Sequence, residues 1–342
     1  MPLSSTKLAN IGWLTLIAIL GLFIYLDLLR FLVFLLFMYL VIDLLVHGLG
    51  KRIPLVSRKA ILYAVYALVA GFIVFLALVV APRFVAELPV YLQTLESNLG
   101  GKISELLTRW GITIQFPALK LKALEWGRDH IDATFDLAKR AGANVVLLMF
   151  AFIITFLITH DRLRLGGSET PCAPQENLWH YLANFLEQKI AAFYGYFRQV
   201  MAAQVIISLI NAILTLGLLL VLGIPHKIAL TVMVFVFGLL PIVGNLISNT
   251  LICISALLWA GLLQLIAALV FLVVIHKLEY FLNGKIIGNR VKLPMYITLL
   301  ALIIGESLFH ISGMILSIPV ILFVRAELSA IKTNAGPSQT QA

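Results

Sequence analysis

Apolar residues run along this chain in long blocks, not in the one-faced patterns of soluble helices and strands. Stretches 60–82, 141–160, 199–226 and 228–276 contain no Asp, Glu, Lys or Arg, and 11–26 and 31–46 are nearly as apolar. A helical span needs roughly 20 apolar residues to cross a hydrocarbon core of about 30 Å. The pattern therefore predicts an all-α, polytopic helical membrane protein of about eight membrane segments. Segments 11–26 and 31–46 read as a hairpin of short spans with Asp27 and Arg30 at its outer turn. A single Lys7 before 11–26 imitates a signal peptide, but no small-x-small cleavage pattern follows. Further spans are predicted at about 60–81, 143–159 and 202–222.

Between them the pattern changes. In 83–142 acidic and basic residues alternate, with Leu88, Leu92, Leu95 and Leu99, then Ile131, Phe135 and Ala138, at helical spacing. Two or three amphipathic helices outside the membrane are expected there. The organisation that follows is three amino-terminal transmembrane helices in 1–82, the amphipathic region 83–142 and a span in 143–160. After it come a cytoplasmic linker with an amphipathic helix in 161–200, a carboxyl-terminal transport core in 201–328 and a disordered polar tail in 329–342.

The 49 residues of 228–276 would make one helix of about 74 Å, so they must fold back. Their interruption is "LPIVGNLISN", residues 240–249, with Pro241, Gly244, Asn245 and Asn249. One reading has two plain spans, 228–249 and 251–276, with Pro241 as a kink. The other makes "PIVGN" the tip of a re-entrant hairpin with arms at about 228–240 and 246–258, each too short to span. Charge separates the two. The loop after His276 carries Lys277, Lys285, Arg290 and Lys292 against Glu279. Plain spans put that loop outside; a hairpin puts it in the cytoplasm, where basic loops concentrate. The stretch 296–324, with Glu306, His310 and Gly313 near its middle, reads in the same way as a second hairpin, entered from inside. Two hairpins meeting at mid-membrane is the arrangement expected of a secondary transporter site. At the first tip, Asn245, Ser248 and Asn249 are expected to satisfy backbone groups freed by the break, with Gly244 permitting the turn.

Composition agrees: 61% of 342 residues are hydrophobic, 12% are charged and the formal net charge is +9. In a membrane protein that excess belongs to cytoplasmic loops, led by Lys51, Arg52, Arg58 and Lys59, and not to nucleic acid. Both termini are then cytoplasmic. Cys172 and Cys253 suggest neither a disulfide framework nor a metal site. No cofactor is expected. H-E-x-x-H, G-x-S-x-G and the Walker motif are absent from the sequence, so an enzyme or an ATP-driven pump is not expected. A scaffold assembling through 83–142 is a further class.

From about 190 to 328 the sequence resembles the autoinducer-2 exporter (AI-2E) family of bacterial permease-like membrane proteins. The matching pieces, in order, are "FYGYFRQVMAAQ", "LGIPHKIAL", "GLLPIVGNLI", "HKLEYFLNGKIIGNRVKLPMYITLLALIIG" and "SGMILSIPVIL"; Asp161 in "FLITHDRLRL" fits as well. Asn283–Gly284 and His310 depart from the family pattern. The resemblance implies an eight-span, oligomeric transporter of the bacterial inner membrane. It implies export of a small polar signalling molecule used in quorum sensing or, alternatively, sodium–proton exchange. By motif it points to Pro241, Gly244 and Glu279, and to Gly288, Pro294, Gly313 and Pro319 as structural breaks. Implied partners are the lipid bilayer, a small polar solute, a coupling proton or sodium ion and copies of the chain.

Glu306 is the only acidic residue between Glu279 and Glu327. Carboxylates inside the membrane are costly and usually face a cavity or a partner. His310, one helical turn on, would share a proton with it if the segment stays helical. Asn211 is a further lining candidate, explained equally by a hydrogen bond between helices.

Overall fold

The computed structural model describes residues 5–53, 56–80, 82–83, 86–87, 90–91, 146–161, 178–240, 243–287 and 293–334. Nearly all of the predicted amphipathic region, the 162–177 linker, Pro241, Gly288 and residues 335–342 lie outside them. Among the described residues there is no strand. The helices are α1 (Ser5–Tyr25), α2 (Leu29–Arg52), α3 (Arg58–Phe75, continued by a π-helical turn at Leu76–Val80), α4 (Val146–Asp161) and α5 (Leu178–Val221). They continue with α6 (Lys227–Gly238), α7 (Val243–Ser255, with a π-helical turn at Ala256–Ala260), α8 (Leu262–Ile287) and α9 (Met295–Asn334). Six of them contain stretches long and apolar enough to cross a membrane.

Polarity is inverted relative to a soluble protein. Val221 is 85% exposed and Leu263 74%, whereas Thr155, Gln204, Ser208, Asn211, Thr215 and Ser255 are buried. Apolar side chains outside and polar ones inside suit a solvent of lipid. The chain is a polytopic helical membrane protein.

It divides into two compact units. The first comprises residues 1–66, 148–203 and 287–342. Between α1 and α2, Asp27 adopts a left-handed backbone (φ 53°) and its carboxylate accepts from Arg30, as expected of a tight outer turn. Along the start of α5, Phe185 packs edge-on to Trp13, Tyr194 to Tyr39, Phe197 to Phe37 and Phe193 to Phe323. Polar clamps interleave with these rings. Asp43 accepts from the Tyr194 hydroxyl (3.1 Å), pairs with Arg198 (3.1 Å) and faces His47 (2.8 Å), while Lys189 donates to Glu327 at 2.5 Å.

α9 is two helices joined at a break. Phe309 (φ −139°, ψ 17°) and His310 (φ 52°, ψ −136°) leave helical geometry. The chain then reverses, because Gly305 and Gly313 lie against each other. A Cβ on Gly305 would sit 2.6 Å from the Gly313 carbonyl oxygen, and one on Gly313 would overlap that of Gly305. Eight residues of straight helix would hold them about 12 Å apart. The first arm, 295–308, is about 21 Å long, too short to span. Pro294 starts it, its carbonyl accepting from Ile297 (3.0 Å). Pro319, expected as a break, lies inside regular helix. The helix also runs to Asn334, six residues into the segment expected as a disordered tail.

The second unit comprises residues 67–147 and 204–286. Its centre is the α6–α7 pair, about 18 and 20 Å long. They fold back on each other, since a Cβ on Gly244 would overlap the Phe237 carbonyl oxygen. Residues 178–200 and 202–222, expected as an approach helix and a separate span, form one uninterrupted helix, α5, about 66 Å long. Nothing in "FRQVMAAQV" breaks a helix, so the change from charged to apolar there marks entry into lipid, not an element boundary.

Gly244→Ala and Gly313→Ala are each expected to cost about 1–3 kcal/mol, the range for forced overpacking. Gly217→Ala, at a glycine with open space around it, should be neutral or stabilising. Thermal melting in detergent checks this; equal melting temperatures for all three would contradict the tight helix crossings.

Candidate functional site

A helix that ends inside apolar surroundings leaves carbonyls without partners. At the end of α6 these groups are taken by α5. Gln204 Nε2 donates to the Gly238 carbonyl and Ser208 Oγ to that of Phe235, both at 2.5 Å. With Asn211 and Thr215 they form a stripe at i, i+4, i+7 and i+11, all four buried. Gly238 lacks the Cβ that would sit 2.6 Å from Ser208 Oγ. The partners expected for the break were Asn245, Ser248 and Asn249. Only Ser248 turns back, to the carbonyls of Gly244 (2.9 Å) and Asn245 (3.3 Å). The sequence reading missed Gln204 and Ser208; four polar residues at one-turn spacing in an apolar run were the available signal.

Freed from that task, Asn245 and Asn249 face α8. Asn245 Nδ2 donates to Glu279 Oε1 at 2.6 Å, and Asn249 Nδ2 lies 3.2 Å from His276 Nε2. His276 Nδ1 is 3.7 Å from Glu279 Oε2. Two asparagines one turn apart on α7 thus meet a histidine and a glutamate one turn apart on an antiparallel α8. The turn at Gly261 (φ 104°) joins the two helices. Asn245 is buried and the Glu279 side chain is 16% exposed, whereas His276 is 58% exposed and reaches the surface. A hydrogen bond to a charged acceptor contributes about 1.5–3 kcal/mol. His276 was passed over in the sequence, where it ends the charge-free run; its spacing from Glu279 matches that of Asn245 from Asn249.

The open end of the α6–α7 hairpin is held by residues just after α3. Glu87 Oε2 accepts from the Ala229 N–H (3.1 Å), satisfying a free donor in the first turn of α6. Tyr91 is fully buried, shares a hydrogen bond with Ser255 (2.9 Å) and stacks on Trp259 at 5.4 Å. Burial pushes the Tyr91 hydroxyl up from its ordinary value, against the smaller opposing effect of Ser255, so it stays a neutral phenol.

Glu306 and His310 lie in the first unit, both exposed. The helical register that would stack one on the other is broken at Phe309 and His310. Gly313 serves a helix crossing, and Pro241 and Gly288 fall outside the described residues. Among the described residues no group of three His, Cys, Asp or Glu side chains could hold a metal ion. The α7–α8 network can hold a proton and hydrogen-bond a polar solute.

A sequence profile of AI-2E family transporters matches residues 13–333. The chain is similar to a Bacillus subtilis (strain 168) protein described as "Putative transport protein YdbI", 32% identical over 197 residues, 54% of this chain and 56% of that one. It is also similar to a "Putative transport protein" of Methanothermobacter thermautotrophicus, 25% identical over 201 residues, 58% of each chain. These alignments span little more than half the length of either relative. With the family match running through both units of the fold, the chain belongs to the AI-2E transporter family.

Proposed function

We propose that this protein is a secondary transporter of the bacterial cytoplasmic membrane that exports a small polar metabolite or signalling molecule of the autoinducer-2 kind. The observation that carries the reading is the α6–α7 hairpin: two helices too short to span, with polar side chains of Asn245, Asn249, Glu279 and His276 along one side. Broken helices with buried polar groups are how transporters build a binding site inside lipid. The family membership supports the same reading. In it, Asn245 and Glu279 bind solute hydroxyls and carbonyls directly, while Gln204 and Ser208 hold the hairpin in shape. Pro241 belongs to the hairpin tip. The amino terminus, the α8–α9 loop and the carboxyl terminus are cytoplasmic, and the chain works as a homo-oligomer. Among the described contacts, none favours sodium–proton exchange through a Glu306–His310 pair.

Proteoliposomes loaded with labelled autoinducer-2 test the function. The wild-type chain should release it faster than empty liposomes, and Asn245→Ala should slow release about tenfold or more at equal reconstitution. Wild-type release no faster than through bare lipid would reject this substrate class. The sidedness has its own check: with Cys172 and Cys253 replaced by serine, a cysteine at Lys277 should react with an impermeant maleimide only from the cytoplasmic side. Reaction from outside would restore plain spans.

A further inference from the structure

The α7–α8 network has an internal logic of donors and acceptors. An asparagine Nδ2 only donates, so the 3.2 Å contact from Asn249 Nδ2 requires His276 Nε2 to be the acceptor. A neutral imidazole that accepts at Nε2 carries its hydrogen on Nδ1. Nδ1 faces Glu279 Oε2 at 3.7 Å, and Oε1 of the same carboxylate takes the Asn245 hydrogen bond at 2.6 Å. Every polar atom between the two asparagines is thereby assigned: amide to carboxylate, carboxylate beside N–H, ring lone pair to amide.

This arrangement accommodates one added proton at one place. Glu279 is mostly enclosed, but His276 is 58% exposed, so water reaches the ring. We propose that His276 Nε2 is the exchangeable-proton site of the transporter and that Asn249 reads its occupancy. A proton taken from water by Nε2 makes an imidazolium, balanced by the Glu279 carboxylate; the pair passes from a net charge of −1 to zero. The new Nε2–H then points at the Asn249 NH2 group, donor against donor. Asn249 must turn its carbonyl oxygen to the ring or leave it, and either loosens the tie between α7 and α8. Loss of the proton restores the tie.

No other charged group on the facing elements competes. Lys277 adjoins His276 on α8, and Cys253 lies one turn beyond Asn249 on α7. Neither α6 after Lys227 nor α5 from Gln204 to Val221 carries an acid or a base. The inference rests on the transport reading only for its use, as the step by which a proton gradient acts on the hairpin.

The full-length protein in nanodiscs, with 15N-labelled histidine, provides the test, and the His276 signal is assigned by its loss in His276→Gln. At about pH 8, above the ordinary imidazole range, His276 should carry its hydrogen on Nδ1, and Asn249→Leu should release it to the commoner Nε2–H form. A wild-type Nε2–H tautomer would overturn the proposal without any variant. Hydrogen exchange of the 244–255 amides, corrected for intrinsic rate, should be about threefold to tenfold faster at about pH 5 than at about pH 8, the factor one lost hydrogen bond carries. The difference should vanish in His276→Gln. Exchange with no pH dependence in the wild type would overturn the latch. Neither readout needs a transported solute, so absent autoinducer-2 release and a wrong tautomer are separate failures.

Discussion

Hydrocarbon offers a peptide group nothing to bond with, and that constraint shapes the second unit. Wherever a helix ends at depth, its last carbonyls must find donors within the protein. Here α5 supplies them: the Gln204 amide and the Ser208 hydroxyl cap the end of α6. Close approach does the rest, since Gly238 admits Ser208 and Gly244 brings α7 against the Phe237 carbonyl. A break that would cost several kcal/mol per orphaned group in lipid becomes tolerable.

The position of the polar network follows. Because α5 satisfies the break, the asparagines of α7 need not, and they meet Glu279 and His276 instead. The residues that permit the hairpin and those that give it chemistry therefore lie on opposite neighbours, α5 and α8. The first unit solves its reversal differently. Gly305 and Gly313 let two arms of α9 touch backbone to backbone, and Ser317 returns its hydroxyl to the Gly313 carbonyl at 2.5 Å. Its charges, Asp43 with Arg198 and Lys189 with Glu327, clamp helices together.

The membrane class was legible because hydropathy is local and additive along the chain. The hairpin at 240–245 was legible because Gly and Asn in an oily run have a direct backbone meaning. Asn245, Asn249 and Glu279 were likewise visible as polar side chains with no other reason to lie there. What the sequence did not show was pairing. Nothing local says that Asn245 turns to α8 and Ser208 to α6; that depends on which helix faces meet. The same gap hid the value of His276, ordinary until Asn249 stands against its Nε2. Helical continuity through residues 200–203 was misread because a change of polarity resembles a boundary although the backbone has no cause to break. Glu306 and His310 were joined on the assumption of an intact turn, which the backbone at Phe309 and His310 does not keep.

The central claim is that the carboxyl half folds its helices back before they cross the membrane. Nitroxide labels at Ile228 and Thr250, in the full-length protein in nanodiscs, measure it by pulsed electron–electron spectroscopy. Arms packed at the usual interhelical spacing place the labels under about 20 Å apart. A continuous span through Pro241 would separate them by about 33 Å, and that distance would contradict the account.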